Sequence, residues 1–306
     1  MSETVTFDSL GISPGLQDKL NNMNITVPTQ VQQRTIPAVL KGKNLIVQSP
    51  TGTGKTLAYL APLLLKVDRG SKDLEVLVLV PSRELALQVV GRVKELADDI
   101  KVSLVIGGTN QARQVEALKE KPKIAVGTPG RVLELIKKRK INGQAIKAIV
   151  VDEADKMFSQ GFMNDVRTIF KATLKSRQAL FFSATIPREM KDEAPVMMEE
   201  PEFIILKEAG RVPATIRHLY IMCGGEQRTQ ILAKLLNFYK PKKAIVFIQN
   251  NEGVGPLAGR LQELGFSASA LHSNLTQLLR KGVLQKFRAG KFSVLVTTDL
   301  LARGMI

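Results

Sequence analysis

The residues Ser49-Pro50-Thr51-Gly52-Thr53-Gly54-Lys55-Thr56 carry the types and spacing that a phosphate site requires. Leu45-Ile46-Val47 precedes them and reads as a short buried strand; Leu57 through Val67 follows and reads as a helix. Strand, glycine-containing loop ending in Gly-Lys-Thr, then helix is the context of a phosphate-binding P-loop. Loop N–H groups and the positive end of the helix dipole aim at an anion there. Gly52 and Gly54 permit backbone angles that a Cβ would obstruct. Lys55 supplies a point charge for the β- and γ-phosphates, and the Thr56 hydroxyl can ligate Mg2+. The general pattern has a further glycine where this chain has Ser49.

A second constellation follows Ile149-Val150-Val151: the acids of Asp152-Glu153-Ala154-Asp155. An acid ending a buried strand beside a P-loop can hold Mg2+ through water, and the adjacent Glu153 is placed to polarise an attacking water as a general base. Paired acids in a turn more often cap a helix. Coupled to the P-loop, the pair reads as a site that hydrolyses a nucleoside triphosphate.

These loops need a scaffold that holds strand ends side by side. Short apolar runs at 76–80, 102–106, 124–126, 149–151 and 180–182 alternate with amphipathic stretches such as 82–96 and 111–118. Near-continuous apolar strands separated by helices predict a parallel sheet covered on both faces, with ligands at the carboxyl ends of its strands. A second series has runs at 216–222, 244–248, 268–271 and 294–296, separated by helical stretches at 227–239, 255–264 and 277–288. The predicted organisation is a first lobe at 1–207, a linker at 208–214 and a second lobe at 215–306.

Hydrophobic residues at 44% and charged residues at 24% of 306 are the proportions of a water-soluble globular chain. No apolar run nears the ~20 residues that cross a bilayer, and Met1-Ser2-Glu3-Thr4 lacks the start of a secretory signal. The expectation is therefore a cytoplasmic protein without a membrane partner. The one cysteine, Cys223, excludes an intrachain disulfide and reads as a packing residue in an apolar strand. The net charge of +16 is uneven: residues 1–210 carry 30 Lys/Arg against 24 Asp/Glu, and residues 211–306 carry 14 against 4. Such a field favours a polyanion, of which nucleic acid is the commonest. Aromatic residues are only 5%, so phosphate and sugar contacts suit the chain better than base stacking.

From Phe7 to the C-terminus the chain resembles the DEAD-box RNA helicases, whose name spells Asp152-Glu153-Ala154-Asp155. That family begins its P-loop with Ala or Ser, which accounts for Ser49. The resemblance implies two tandem RecA-like α/β lobes, the cofactors ATP and Mg2+, and RNA bound without regard to sequence. Val27-Pro28-Thr29-Gln30-Val31-Gln32 resembles the Q motif, which would have Gln32 read the adenine edge and Phe7 stack near it. Pro81-Ser82-Arg83 is similar to motif Ia, Gly107-Gly108 to the GG pair, and Thr128-Pro129-Gly130-Arg131 to motif Ib, all implied to contact RNA. A hydroxyl, exposed N–H groups and a guanidinium at a helix start suit a phosphate backbone. Ser183-Ala184-Thr185 resembles motif III, which couples hydrolysis to lobe closure through Ser183 and Thr185. In the second lobe, 246–250 resembles motif IV, and Gln277 with Arg280 the adjoining RNA-contacting motif. Thr297-Thr298-Asp299 and Ala302-Arg303-Gly304 resemble motif V, with Thr298 and Gly304 assigned to RNA and Asp299 to the interlobe network.

Two departures qualify the resemblance. Ile306 stands where the family has an aspartate for the ATP ribose, and the arginine-rich motif VI has no counterpart. The expectation is a second lobe truncated after motif V, with an open sheet edge that invites a protein partner or self-association. Three functional readings follow: an ATP-dependent RNA helicase; a non-catalytic ATP- and RNA-binding clamp, since arginine fingers contribute ~10³–10⁵ in rate; and a DNA translocase, which the Q motif and the Asp-Glu-Ala-Asp string disfavour.

Overall fold

A computed structural model describes residues 5–108, 111–206, 216–224 and 227–298. The chain divides into two compact units, Met1–Val212 and Pro213–Ile306. The expected linker at 208–214 lies outside the described residues, as do Asp299 and Gly304.

The first unit is a seven-stranded parallel sheet in the order β3-β4-β2-β5-β6-β1-β7. Its strands are β1 (Leu45–Gln48), β2 (Val76–Leu79), β3 (Val102–Val105), β4 (Ile124–Gly127), β5 (Ala148–Val151), β6 (Gln178–Ser183) and β7 (Glu202–Ile205). Because side chains alternate along a strand, each apolar run feeds two cores. Leu45, Val47, Val76, Val78, Leu180 and Phe182 pack on one face. Ile46, Leu77, Leu79, Ala179 and Phe181 pack on the other. Helices α1 (Pro14–Asn22), α2 (Gln30–Leu40), α3 (Lys55–Lys66) and α4 (Arg83–Leu96) cover the first face. Helices α5 (Gln111–Lys119), α6 (Pro129–Lys137), α7 (Ala154–Ser159), α8 (Met163–Lys171) and α9 (Arg188–Met197) cover the second. Each fully buried Val, Leu or Phe contributes about 1.5–3 kcal/mol of transfer free energy, so the central strands are firmly fixed. Strand β7 was not expected from the sequence. It is an edge strand that buries only Ile204, so it never shows the doubly apolar run of a central strand.

The second unit holds a three-stranded parallel sheet ordered β8-β10-β9, from β8 (Ala244–Phe247), β9 (Ala268–Leu271) and β10 (Val294–Thr297). Leu236 of α10 (Arg228–Tyr239) and Val254, Ala258 and Leu261 of α11 (Val254–Glu263) pack with Val294 and Val296. Phe287 of α12 (Gln277–Arg288) packs with Leu271 and Leu295.

One expected strand does not form. Residues 216–222 have no regular structure, and Tyr220 and Met222 are 90% and 89% exposed. A strand exists only through a ladder partner, and no described strand pairs with this segment. Cys223 is accordingly half-buried outside any strand, not packed within one.

Candidate active site

Parallel strands carry the P-loop, the Asp-Glu-Ala-Asp turn, Ser183-Ala184-Thr185 and the residues resembling motifs Ia, GG and Ib to one end of the sheet. Strand order then sorts them into two neighbouring groups. Strands β5, β6 and β1 lie side by side and end in Asp152-Glu153, Ser183 and the P-loop. Strands β3, β4 and β2 also lie side by side and end near Gly107-Gly108, Thr128 and Pro81. The groups meet where β2 pairs with β5.

The P-loop starts with a backbone bond from Ser49 N to Ser183 O, 3.0 Å, which ties it to β6. Ser49 Oγ lies 2.6 Å from Thr53 Oγ1, and Thr53 Oγ1 donates to Pro50 O at 2.8 Å. Gly54 is the N-cap of α3 in the left-handed region, φ +90°, and brings no side chain to cap the helix. The N–H groups of the first turn therefore stay open to an anion. Gly52 has φ +79°, and Thr51 and Gly52 are exposed. Lys55 Nζ lies folded onto the loop, donating to Ser49 O at 2.7 Å and Pro50 O at 3.1 Å. Burial lowers its pKa, while Asp152, Asp155 and Glu153 act in the opposite sense.

Gln32 is buried and braces this loop. Its Oε1 accepts from Thr29 N at 2.9 Å at the start of α2, and its Nε2 donates to Gly54 O at 3.2 Å. Thr29 Oγ1 donates to Thr53 O at 2.8 Å. A primary amide has two donors and two lone pairs, so one of each remains for an adenine edge. Phe7 is placed otherwise than expected: its ring is buried in the first core at 4% exposure, so it presents no open face for stacking.

Asp152 is buried at the end of β5. Its Oδ2 accepts from the Tyr59 hydroxyl at 2.9 Å and its Oδ1 from Glu153 N at 2.9 Å. Burial raises the Asp152 pKa, opposed chiefly by the Lys55 charge. Burial also drives the Tyr59 pKa well up, helped by Asp152 and opposed by a hydrogen bond with Thr56. Tyr59 thus links the two side chains expected to hold a metal. Sequence reading missed it, although its spacing of three from Thr56 and four from Lys55 places all three on one side of α3. Glu153 sits at the N-cap of α7 with φ +51°, its carboxylate paired with Lys156. Asp155, to which no role was assigned, binds the whole of the Ser183–Thr185 turn. Its N–H donates to Ser183 Oγ at 3.0 Å, and its Oδ2 accepts from Thr185 N at 3.2 Å and Thr185 Oγ1 at 2.9 Å.

In the neighbouring group, Ser82 caps α4 by accepting from Leu85 N at 3.2 Å. Pro81 is buried and Arg83 half-buried. Gly108 is exposed with φ +70°. Thr128 is the N-cap of α6: its carbonyl accepts from Val132 N at 3.1 Å and its N–H donates to Val105 O at 3.0 Å, with Pro129 buried and Gly130 exposed beyond it. The expected phosphate-facing guanidinium of Arg131 is not there. Its side chain is 4% exposed, bonds Glu134 one turn along the helix, and lies 3.4 Å from Gln114 Oε1. A carboxylate three residues away satisfies the guanidinium internally at no cost in reach.

In the second unit, the Arg280 guanidinium donates to the backbone of Leu275 and Ser273 and shapes the loop before α12. Thr298 is buried at the end of β10. Gln277 opens α12. No group of three or more His, Cys, Asp or Glu that could hold a metal by themselves occurs among the described residues. No helix among them is long and apolar enough to cross a membrane.

Comparison with known proteins matches residues 29–193 to the DEAD/DEAH box helicase family and residues 227–305 to the helicase conserved C-terminal domain. The RNA helicase CrhR of Synechocystis sp. is 38% identical over 305 residues, 99% of this chain and 62% of CrhR. The ATP-dependent RNA helicase CshA of Listeria monocytogenes is 38% identical over 301 residues, 98% of this chain and 58% of CshA. The chain thus spans about three-fifths of the length of these curated relatives. Among solved structures, S. cerevisiae Dbp5 bound to RNA and ADP BeF3 is 30% identical with a TM-score of 0.82, covering 97% of this chain and 76% of that one. A DEAD box protein of Methanococcus jannaschii is 34% identical with a TM-score of 0.65, covering 98% and 81%. With its P-loop, its Asp-Glu-Ala-Asp turn and two parallel α/β units matched in order, this chain belongs to the DEAD/DEAH box helicase family.

Proposed function

We propose that this chain is the core of an ATP-dependent RNA helicase, in which ATP hydrolysis drives local separation of an RNA duplex. One observation carries the reading: the P-loop, Asp152-Glu153 and the Asp155–Thr185 turn converge at the ends of three adjacent strands, next to the strand ends bearing the RNA motifs.

The residues fit ATP and Mg2+. The uncapped start of α3, with left-handed Gly54 and the Lys55 ammonium, suits a triphosphate. In this reading Lys55 leaves the Ser49 and Pro50 carbonyls for the β/γ-phosphates, and Gln32 keeps its loop-bracing bonds while reading adenine. Asp152 and Thr56 would hold Mg2+ largely through water, because Mg2+ keeps several waters and needs few protein oxygens. The metal would offset phosphate charge, and Glu153 would orient the attacking water once Lys156 releases it. RNA would lie along the ends of β2, β3 and β4, its phosphates met by N–H groups at the starts of α4 and α6. Arg131 acts in this scheme by holding α6, not by touching phosphate. The outer side of β8 pairs with no described strand and exposes Ile245 and Phe247, which suits a further strand or a protein partner. A single cysteine suits a reducing compartment such as the cytoplasm.

The test is ATP turnover with and without single-stranded RNA, for the wild type, Lys55→Ala and Glu153→Gln. Turnover that RNA stimulates and both substitutions abolish is the expected result. Nucleotide binding without turnover would establish the clamp instead, and unwinding of DNA but not RNA duplexes would overturn the RNA assignment.

A further inference from the structure

The amino-terminal end of the second unit's sheet carries a basic surface that none of the motifs accounts for. Residues 227–298 contain eleven Lys/Arg and only two Asp/Glu, Glu252 and Glu263. Glu252 lies just before α11 and Glu263 ends it. Six of the cations fall in two short stretches: Lys240, Lys242 and Lys243 before β8, and Lys286, Arg288 and Lys291 before β10.

These stretches are brought together by strand pairing. Ala244 and Val294 are in register at the starts of β8 and β10, and Ala244 N donates to Ser293 O at 2.7 Å. Lys243 Nζ crosses to donate to Arg288 O at 2.8 Å, and lies 5.7 Å from the centre of the Phe287 ring. All six side chains are exposed. Lys240, Lys242, Lys286 and Lys291 make no ion pair among the described residues. Phe238 and Tyr239, 77% and 52% exposed, stand edge to face beside Lys240.

Helix ends explain only part of this cluster. Helices α10 and α12 finish here, and a cation near each carboxyl end is stabilising. One or two lysines serve that purpose; a cluster of lysines that makes no ion pair among the described residues repels itself and lowers stability unless a polyanion offsets it. The motif residues Asn250 and Thr298 follow the opposite ends of β8 and β10, roughly 13 Å away for four-residue strands. A polymer held at the motif end must therefore extend beyond it to reach the basic end.

We infer that this surface is a second nucleic-acid contact, which binds the phosphates of RNA running past the segment held by the helicase motifs. The inference rests on the RNA-helicase reading and adds to it an anchor that recognises length and charge, not sequence. The exposed Phe238–Tyr239 pair offers a stacking face beside that anchor.

The experiment titrates labelled oligouridylate, one long and one just spanning the motif segment, into the wild type and a triple variant, Lys242→Gln with Lys286→Gln and Lys291→Gln. These side chains are solvated and mutually repulsive, so a melting temperature at or above that of the wild type certifies the fold. Each lost phosphate contact removes about 0.7 from the slope of log affinity against log salt for a single strand. The long RNA is therefore expected to lose ~20-fold less affinity in the variant than in the wild type over a fourfold rise in salt. Short-RNA affinity, and the ATP turnover that short RNA stimulates, should match the wild type. Equal salt slopes on long RNA would overturn the anchor and leave the helicase reading intact. Salt-sensitive long-RNA binding lost in the triple variant, without nucleotide-dependent short-RNA binding by the wild type, would support the surface and overturn the helicase reading.

Discussion

Asp155 holds Thr185 by two bonds from one carboxylate oxygen, 3.2 Å to its N–H and 2.9 Å to its hydroxyl. The same aspartate takes Ser183 Oγ on its backbone N–H, so the turn after β6 is latched to the turn after β5. Any shift of Asp152 and Glu153 on nucleotide hydrolysis would be felt at Ser183–Thr185 through this latch.

The first prediction tests the latch as a coupling device. Thr185→Ala removes one exposed hydrogen bond, so the stability loss should be at most about 1 kcal/mol. Nucleotide affinity should stay near the wild type, while the factor by which RNA stimulates turnover falls. Asp155→Asn keeps an acceptor for Thr185 and should retain more of that factor than Asp155→Ala. Equal stimulation in all three variants, measured by steady-state ATP turnover, would reject the latch.

A second prediction concerns Gly54 and Gln32. A Cβ on Gly54 would lie 2.3 Å from Gln32 Nε2, at a backbone φ of +90°. Gly54→Ala should therefore cost about 1–2 kcal/mol of left-handed strain and, in addition, displace the Gln32 amide. In a Gln32→Ala background the second part disappears. Thermal melts of the double-mutant cycle should show the two losses to be less than additive; strict additivity would mean the amide moves freely.

Much of this arrangement was legible in the sequence because the relevant groups are contiguous. The P-loop and Asp152-Glu153 are short strings between apolar runs, and the runs at 45–47 and 149–151 became β1 and β5 within a residue. Tertiary partners were not legible: nothing local pairs Asp155 with Thr185, thirty positions away. Phe7 shows the same limit, since an isolated aromatic reads alike whether its ring is buried or offered to a ligand. Residues 216–222 have the composition of a strand, but composition supplies no ladder partner. The inward turn of Arg131 did leave a signal, the acid three residues on at Glu134, which a helix places alongside it.

That pair carries the third prediction. Arg131 is buried against Glu134, and its guanidinium, followed by Lys138, pulls the Glu134 pKa down to about 2. Stability from this interaction is present above the ordinary glutamate value of 4.5 and is lost as pH falls through about 2. Arg131→Ala should lower the melting temperature of the first unit, and only modestly because the carboxylate is solvated. The salt slope of RNA binding should not change. A shallower slope with unaltered stability would restore Arg131 as a phosphate contact.

The fourth prediction follows from the burial of Asp152. Burial raises its pKa above the ordinary 3.8, against the pull of Lys55. The folded chain therefore takes up this proton at a higher pH than the unfolded chain does. The associated stability is fully present below 3.8 and is lost as pH rises through the folded value, so at neutral pH the carboxylate is a cost. Asp152→Asn removes that cost, but in the wild-type background it also strips Lys55 of an opposing charge. The comparison belongs in a Lys55→Ala background, where no such loss occurs. There Asp152→Asn should raise the melting temperature at neutral pH, and its advantage should shrink as pH falls toward 3.8. An advantage that grows on acidification would mean the folded pKa is depressed, and that polar partners such as Tyr59, not desolvation, set the charge of this carboxylate.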